Sequence, residues 1–226
     1  TVESGRTGNL RVADGLVKIT GLSRDAEALA IGADVSGPVA ELVALLRHPR
    51  LHLLDRGGVR FTDPGGTLAG KLSVQLPLIR DLEMEHVAIR ATGRLTDLRL
   101  GGIAAGRDLD RGTVQTEVTA EGLKASGQAT VGGIPAHLAV ELDFRPGPPG
   151  QVVTKVAATG RATAPQLLAA GVDTLGVMTG PAALDTAFTQ RRDGRGEFRV
   201  RADLRETALE FLGWSKPPGA PATAAA

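Results

Sequence analysis

The chain has 226 residues, of which 42% are hydrophobic, and its 26 basic side chains nearly balance its 25 acidic ones. The balance argues against a dedicated nucleic-acid surface, which needs an excess of positive charge, and the hydrophobic share argues against wholesale disorder. Cysteine is absent, which excludes disulfides, thiolate metal sites and cysteine nucleophiles.

The first segment with a clear pattern is a short helix, predicted from about Val39 to Arg47. Ser36 can cap it, Pro38 suits a first helical turn, and Pro49 ends it. The apolar face of this helix would consist of Leu42, Val43, Leu45 and Leu46.

Two histidines next to this helix have the spacing of a metal site. His48 and His52 are four residues apart, which would place them on one side of a helix. Pro49 lies between them and breaks the helix, and neither has an acidic partner at a motif spacing. We therefore expect no metal site and no cofactor.

Apolar and polar residues alternate in several segments between residues 71 and 204, which predicts β-strands with one apolar and one polar face. Such strands belong to antiparallel sheets, because strands buried in a parallel sheet are apolar on both faces. The segment from Gly112 to Phe144 predicts a meander of three strands, with turns near Gly122 and Gly132-Gly133. The apolar positions that we single out are Leu72, Val74, Leu76, Val87, Ile89, Val114, Val118, Leu138, Val140, Leu142, Phe198 and Val200.

A glycine recurs inside or beside the strand patterns, within an apolar–small–Gly–polar–apolar motif. Glycine within a strand usually marks a bulge, a bend or a close approach of another backbone. We therefore expect the sheet to bend at regular places, although chance recurrence in a chain with 30 glycines is the alternative. The central glycines of the four motifs are Gly70, Gly93, Gly127 and Gly160.

The rest of the chain predicts two more short helices and a tail. One helix begins near Pro165 with Thr163 as its cap and ends at Gly171, and a weaker one covers 182–187. Residues 1–212 are predicted as one β region, in which two sub-repeats would meet near 145–150. Residues 213–226 are predicted as a linker or the start of another repeat, and Trp214 as a terminal core anchor.

No catalytic constellation is predicted, so we expect that the chain is not an enzyme. Nucleophile-elbow, P-loop and dinucleotide-binding motifs are all missing. Asp108 and Asp110 lack the further oxygen ligands of a calcium loop, and they suit a solvated strand start. Paired carboxylates of a glycoside hydrolase remain the enzymatic alternative, but sugar clefts usually need aromatic walls and only 3% of the residues are aromatic.

Several segments together resemble the central periplasmic region of AsmA-like proteins of the YhdP type. The resemblance spans roughly residues 9–219 and rests on pattern and order, without a single decisive motif. The segments that carry it are Val35-Ser36-Gly37-Pro38 with the following helix, Asp63-Pro64-Gly65-Gly66-Thr67-Leu68-Ala69-Gly70, Leu76-Pro77-Leu78, Gly122-Leu123-Lys124-Ala125-Ser126-Gly127-Gln128-Ala129 and Leu212-Gly213-Trp214-Ser215-Lys216-Pro217-Pro218-Gly219.

The resemblance implies a mainly β fold, an extended and twisted antiparallel sheet curled into an open groove, with two or three short helices. It implies a segment of a periplasmic, bridge-like phospholipid transport protein that carries acyl chains toward the outer membrane. The twelve apolar strand positions would then line the groove and contact phospholipid or another acyl-chain lipid.

The resemblance also implies an inner-membrane anchor in the full-length protein and a partner at the outer membrane. This sequence lacks an anchor helix, so we interpret it as an internal fragment. The alternative from another functional class is a structural or adhesion-type β-domain with a closed core and no ligand, because it would show the same alternation and turns.

Overall fold

The structure is a computed structural model that describes residues 2–21, 27–46, 62–79, 86–104 and 106–226. Its helices are α1 (Val39–Leu46) and α2 (Ala164–Ala169). Its strands are β1 (Val2–Thr7), β2 (Leu10–Thr20), β3 (Ala28–Pro38), β4 (Thr62–Pro77), β5 (Ala88–Ala104), β6 (Arg107–Thr119), β7 (Gly122–Val131), β8 (Ile134–Asp143), β9 (Val152–Thr163), β10 (Met178–Thr179), β11 (Pro181–Arg191), β12 (Gly196–Asp203), β13 (Ala208–Phe211), β14 (Trp214–Lys216) and β15 (Thr223–Ala225).

Twelve of these strands form one large antiparallel sheet. Their order follows the chain from β1 to β9 and then continues through β11, β12 and β15. Strands β1 and β15 each pair on one side only, so the sheet is not closed into a barrel. The prediction of a mainly β fold with an extended, open antiparallel sheet and short helices is confirmed.

The predicted meander is present as β6, β7 and β8, with turns at 120–121 and at Gly132-Gly133. Its burial follows the alternation of the sequence. In β8, Leu138 and Val140 are half-buried, whereas His137 and Glu141 are exposed. The alternation therefore reports two different environments on the two faces of the sheet.

Helix α1 covers one end of the apolar side of the sheet. Its Val39 and Val43 are buried and pack in one cluster with residues of β5, β6 and β7. The helix begins as predicted, and it ends at Leu46 within the described residues, whereas His48 and His52 lie outside them. The buried strand residues of the cluster are Leu98, Leu109, Val114 and Ala129.

Bulges in β5 and β6 shift the alternation beside this cluster. The register shifts between Leu95 and Leu98, and again in β6 opposite β7. Asp97 and Arg111 lie at these shifts, both with φ of 51°. Each bulge adds a residue to one strand, so Leu98 rather than Asp97 turns toward the helix.

The C-terminal third confirms one predicted helix and corrects another. Helix α2 forms with Thr163 as its N-cap, as predicted, but residues 182–187 belong to β11 rather than to a helix. Strand β11 is hydrogen-bonded between β9 and β12, and its Ala182 is buried. This pairing outweighs the weak helical propensity of a short alanine-containing run.

Residues 213–226 do not run free as a linker. Strand β14 joins β10 and β13 in a three-stranded sheet, and β15 pairs with β12 at the edge of the large sheet. Trp214 is 58% exposed, so the expectation of a core anchor is wrong. The assignment of these residues to a further repeat, and of a sub-repeat boundary near 145–150, stays a prediction; β8 and β9 pair directly across that turn.

Candidate functional site

The large sheet presents one continuous apolar side. Residues that pair across neighbouring strands share a face, so the register arranges the side chains in rows that cross the strands. The side that contains these rows is called the apolar face, and the other side the polar face. The central row is Val35, Gly70, Gly93, Thr116, Ala125, Val140, Val156, Phe188 and Phe198.

The rows on either side of the central row are also mostly apolar, although one of them ends in the polar residues Thr154 and Gln190. Toward α1 the neighbouring row is Gly37, Leu68, Leu95, Val114, Gly127, Leu138, Ala158, Thr186 and Val200. Away from α1 it is Ala33, Leu72, Ala91, Val118, Leu123, Leu142, Thr154 and Gln190.

The structure brings eleven of the twelve residues predicted from sequence onto this one face. They come from β4, β5, β6, β8 and β12, and the register places all of them on the apolar side. Val87 directly precedes β5 and is buried. The eleven residues are Leu72, Val74, Leu76, Ile89, Val114, Val118, Leu138, Val140, Leu142, Phe198 and Val200. Their contact with lipid stays a prediction.

Sequence reasoning missed part of this face. In β3 the apolar residues Leu29, Ile31 and Val35 alternate with smaller or polar ones, but glycine and alanine weaken the contrast. In β11 the alternation of Leu184 and Phe188 was masked by the helical interpretation. The alternating signal was present in both strands and could have identified them.

Two threonine hydroxyls on the apolar face are turned toward the backbone. The Thr116 hydroxyl donates to the carbonyl of Gly93 at 3.3 Å, and the Thr186 hydroxyl donates to the carbonyl of Ala158 at 3.1 Å. A hydroxyl satisfied by the neighbouring strand no longer needs water. These two positions therefore disturb the apolar character of the face less than their residue type indicates.

The four motif glycines all lie on the apolar face, in β4, β5, β7 and β9. A Cβ atom at Gly127 would overlap the carbonyl oxygen of Thr113 and lie 2.7 Å from the Cα of Val114. At Gly70 it would overlap the Thr92 carbonyl oxygen, and at Gly160 it would lie 2.5 Å from the Pro135 carbonyl oxygen. At Gly93 the nearest atom, at 3.0 Å, belongs to a side chain. The expected close backbone approach is therefore present at three of the motifs.

The apolar face is covered unevenly. At the α1 end its residues are buried in the cluster with Val39 and Val43. Elsewhere in the middle strands of the sheet they are half-buried. Val17 and Ile19 of β2 are exposed near one edge of the sheet, and Phe198 of β12 is 62% exposed near the other. The apolar rows thus run from β2 to β12, the strands next to the edge strands β1 and β15, and are exposed at both ends.

The polar face carries cross-strand ion pairs and a shallow concavity of about 680 Å³. Lys71 pairs with Asp34 at 3.5 Å and Arg90 pairs with Glu117 at 2.9 Å, all with exposed side chains. The concavity lies over the middle strands and is lined by charged, polar and small residues, among them Lys71, Glu117 and Ala139. It opens on the polar side of the sheet, although Val140 of β8 also borders it, and its charged side chains suit water rather than acyl chains.

Carboxylates singled out from the sequence do not converge. Asp108 is the second residue of β6, as expected for a strand start, and its Oδ1 accepts a hydrogen bond from the Gly102 amide at 2.9 Å. His86 and His137 are exposed. Among the described residues, no three His, Asp or Glu side chains are grouped as metal ligands, and none of the helices is long and apolar enough to span a bilayer.

Asp143, at the end of β8, has the most perturbed pKa among the described residues for which a shift is resolved. Hydrogen bonding to Arg145, above all, lowers the pKa of Asp143 far below its usual range; the Arg145 side chain donates to it at 2.7 and 2.9 Å. Gln151 also donates to it, at 3.0 Å. The carboxylate therefore holds the turn that leads to β9, which is a structural role.

Replacing the Asp143 carboxylate should make the melting temperature depend less on pH in the acid range. Because the folded-state pKa of Asp143 is depressed, its contribution is fully present above the ordinary aspartate pKa of about 3.9 and is lost as the pH falls below it. We expect Asp143→Asn to melt at a lower temperature than the wild type at pH 7, and the difference to shrink below about pH 4. Thermal melts from pH 7 to pH 2 measure this, and a difference that grows toward low pH would contradict it.

Comparisons of the chain with protein-family models, with curated proteins and with solved structures gave no match. The resemblance to AsmA-like proteins therefore stays an expectation drawn from the sequence. What can be proposed about function depends on the geometry of the apolar face.

Proposed function

We propose that the apolar face binds acyl chains and that the chain is a segment of a periplasmic, bridge-like phospholipid transport protein. The observation that carries the proposal is the set of mostly apolar rows that cross the sheet from β2 to β12 and are exposed at both ends. A catalytic protein would need a local group of reactive side chains, whereas a lipid carrier needs a continuous apolar surface.

The length of the rows suits such a role. Nine neighbouring strands contribute to the central row, so it is about 38 Å long at roughly 4.8 Å per strand spacing. One acyl chain spans half of the hydrocarbon core of a bilayer, about 15 Å. The face is thus longer than one acyl chain, which supports passage along the sheet rather than storage in a single pocket.

The chemistry of the face favours weak selectivity. Each methylene removed from water contributes about 0.8 kcal/mol, and the face offers Leu, Val and Ala with few polar partners. Such contacts are non-directional, so an acyl chain can move along a row, from strand to strand, without breaking specific bonds. The exposed ion pairs of the other side keep that face in water.

The wider setting belongs to the same proposal and derives from the sequence resemblance. The full-length protein would be anchored in the inner membrane, extend through the periplasm and deliver phospholipid toward a partner at the outer membrane. Neither nucleic acid nor a catalytic cofactor has a part in this function.

Photocrosslinking tests the proposal directly. A photoreactive residue placed at Leu72, Val74, Val140 or Val200 should capture phospholipid when the protein is expressed in a Gram-negative envelope. Ser73 and Ala139 are matched controls, because they lie next to Val74 and Val140 on the polar face. Adducts at the apolar positions alone support the proposal, whereas no adducts, or equal adducts on both faces, overturn it.

A structural or adhesion-type β-domain remains the second candidate, favoured by the buried cluster beneath α1. A closed domain fills its apolar side with its own side chains and should bind little fluorescent fatty acid. Saturable binding by the purified protein, weakened by Val140→Arg and unchanged by Ala139→Arg, would argue against this candidate.

A further inference from the structure

Two turns with the same backbone conformation belong to the three-stranded sheet, one directly before its first strand and one between its other two strands. Thr174-Leu175-Gly176-Val177 precedes β10, and Phe211-Leu212-Gly213-Trp214 joins β13 to β14. In each, the leucine and the glycine both have positive φ, 53° and 70° in the first and 46° and 84° in the second. Positive φ at both central residues is the pattern of a type I′ turn.

Leucine is a poor choice for these positions. A side chain with a Cβ is disfavoured at positive φ, and type I′ turns normally place asparagine, aspartate or glycine there. The two leucines are also 79% and 90% exposed, so they gain little from packing within the chain. A disfavoured conformation kept at an exposed apolar residue points to a function outside the fold.

The two turns lie side by side. The Glu210 amide donates to the Val177 carbonyl at 2.9 Å, which extends the pairing of Met178 with Leu209. Leu175 and Leu212 therefore project from the same end of the small sheet. Phe211 and Trp214 are cross-strand partners beside them, and both are exposed.

Four exposed side chains at this end of the small sheet form a projection that we call the apolar tip: Leu175, Phe211, Leu212 and Trp214. Leu168 and Val172, in and after α2, are also exposed, but the Arg107 side chain donates to the Ala169 carbonyl between them at 3.3 Å, so they are not counted in the tip. Residues 162–182 contain a single charged residue, Asp173, and residues 207–215 contain only Glu210. The tip is therefore apolar and aromatic, without basic side chains of its own.

We propose that the apolar tip inserts into the lipid–water interface of a membrane. Trp and Phe are favoured at that interface, and leucines on projecting turns can enter the acyl region. A protein partner would instead need roughly 800 Å² of complementary surface, whereas a few projecting apolar side chains are enough to enter a fluid lipid layer. This tip is separate from the apolar face of the large sheet, so the inference stands independently of the proposed function.

Trp214 provides the test, because it is the only tryptophan of the chain. With phosphatidylcholine vesicles, we expect its emission to shift to shorter wavelength and the protein to float with the vesicles. The double variant Leu175→Asn, Leu212→Asn should fold with an equal or higher melting temperature, since asparagine suits the turns. It should nevertheless bind vesicles at least about tenfold more weakly, because two apolar side chains are lost from the interface.

Leu16→Asn is the matched control, since Leu16 is 53% exposed on the polar face of β2, far along the sheet from the tip, and its loss should leave vesicle binding unchanged. Binding should also persist when the salt concentration is raised, because the tip carries no basic residue.

No shift of Trp214 emission with vesicles, or equal binding by the double variant, would overturn the proposal. So would a shift that depends on protein concentration without vesicles, which would indicate contact between two copies. Fatty-acid binding at the apolar face is measured separately and should survive the double variant.

Discussion

Replacement of Gly127 by alanine is expected to destabilise the protein by about 3 kcal/mol, at the upper end for overpacking. The new Cβ would overlap the Thr113 carbonyl oxygen and lie 2.7 Å from the Val114 Cα. Both atoms belong to the backbone of β6, which pairs with β7 at this point. They can move only if the ladder between the two strands opens.

Gly32→Ala is the matched control for this substitution. Gly32 also lies within a strand of the large sheet, in β3, but among the described residues beyond its chain neighbours no atom lies within 4 Å of an added Cβ there. We expect a change within about 0.5 kcal/mol, in either direction, because alanine restricts the unfolded chain without a clash. Urea denaturation of both variants measures the difference, and equal stability of the two would contradict the role of Gly127.

The other motif glycines should follow a graded order. Gly70→Ala and Gly160→Ala should destabilise strongly, because an added Cβ meets backbone atoms at both positions. Gly93→Ala should cost less, since the nearest atom, at 3.0 Å, is the far end of the Leu68 side chain, which can shift. Such an order would show that close backbone approach, rather than glycine content as such, selects these residues.

The two faces of the sheet could be predicted from sequence because alternation is a local property. Side chains along a strand point to opposite sides whatever the strand pairs with, so Leu138 and Val140 were placed correctly without knowledge of their neighbours. The order of strands in a meander follows as easily, since short turns leave no other pairing for consecutive strands. These features account for most of the large sheet.

The buried cluster beneath α1 could not be predicted in the same way. Bulges at Asp97 and Arg111 shift the phase of β5 and β6, so Leu98 and Leu109 reach the helix only after the alternation is interrupted. A bulge depends on the pairing with the adjacent strand. The helix itself carried a clear signal, but its position over the strands is a long-range property.

The C-terminal segment shows how composition can mislead. Prolines and glycines at 217–221 indicated a linker, yet the strands on either side of them pair with the rest of the protein. The Leu-Gly turns gave no sequence signal of a type I′ turn, because leucine is not a residue expected there. Their identification required the backbone angles, and the exposure of Trp214 required the structure.

Lys216 has the largest expected side-chain effect in this C-terminal segment. It is buried, and its ammonium donates to the carbonyls of Leu204 at 2.9 Å and Thr207 at 2.8 Å. Longer bonds reach the carbonyls of Arg205 and Pro217. One cation thus joins β14 to the loop between β12 and β13, and all four acceptors are main-chain oxygens.

Replacement of Lys216 by methionine should therefore destabilise the three-stranded sheet. Methionine retains much of the aliphatic stem but donates nothing, and a lost charged hydrogen bond with carbonyls left buried costs about 3 kcal/mol. Lys124→Met is the control, because Lys124 is exposed on the polar face and its loss should cost little.

Hydrogen exchange should show reduced protection in β13 and β14 of the Lys216→Met variant only, with β6 to β8 unchanged in both variants. Equal protection in both variants would mean that the small sheet is held by its backbone pairing with β10 and by Thr207, whose buried hydroxyl donates to the Pro181 carbonyl at 2.7 Å.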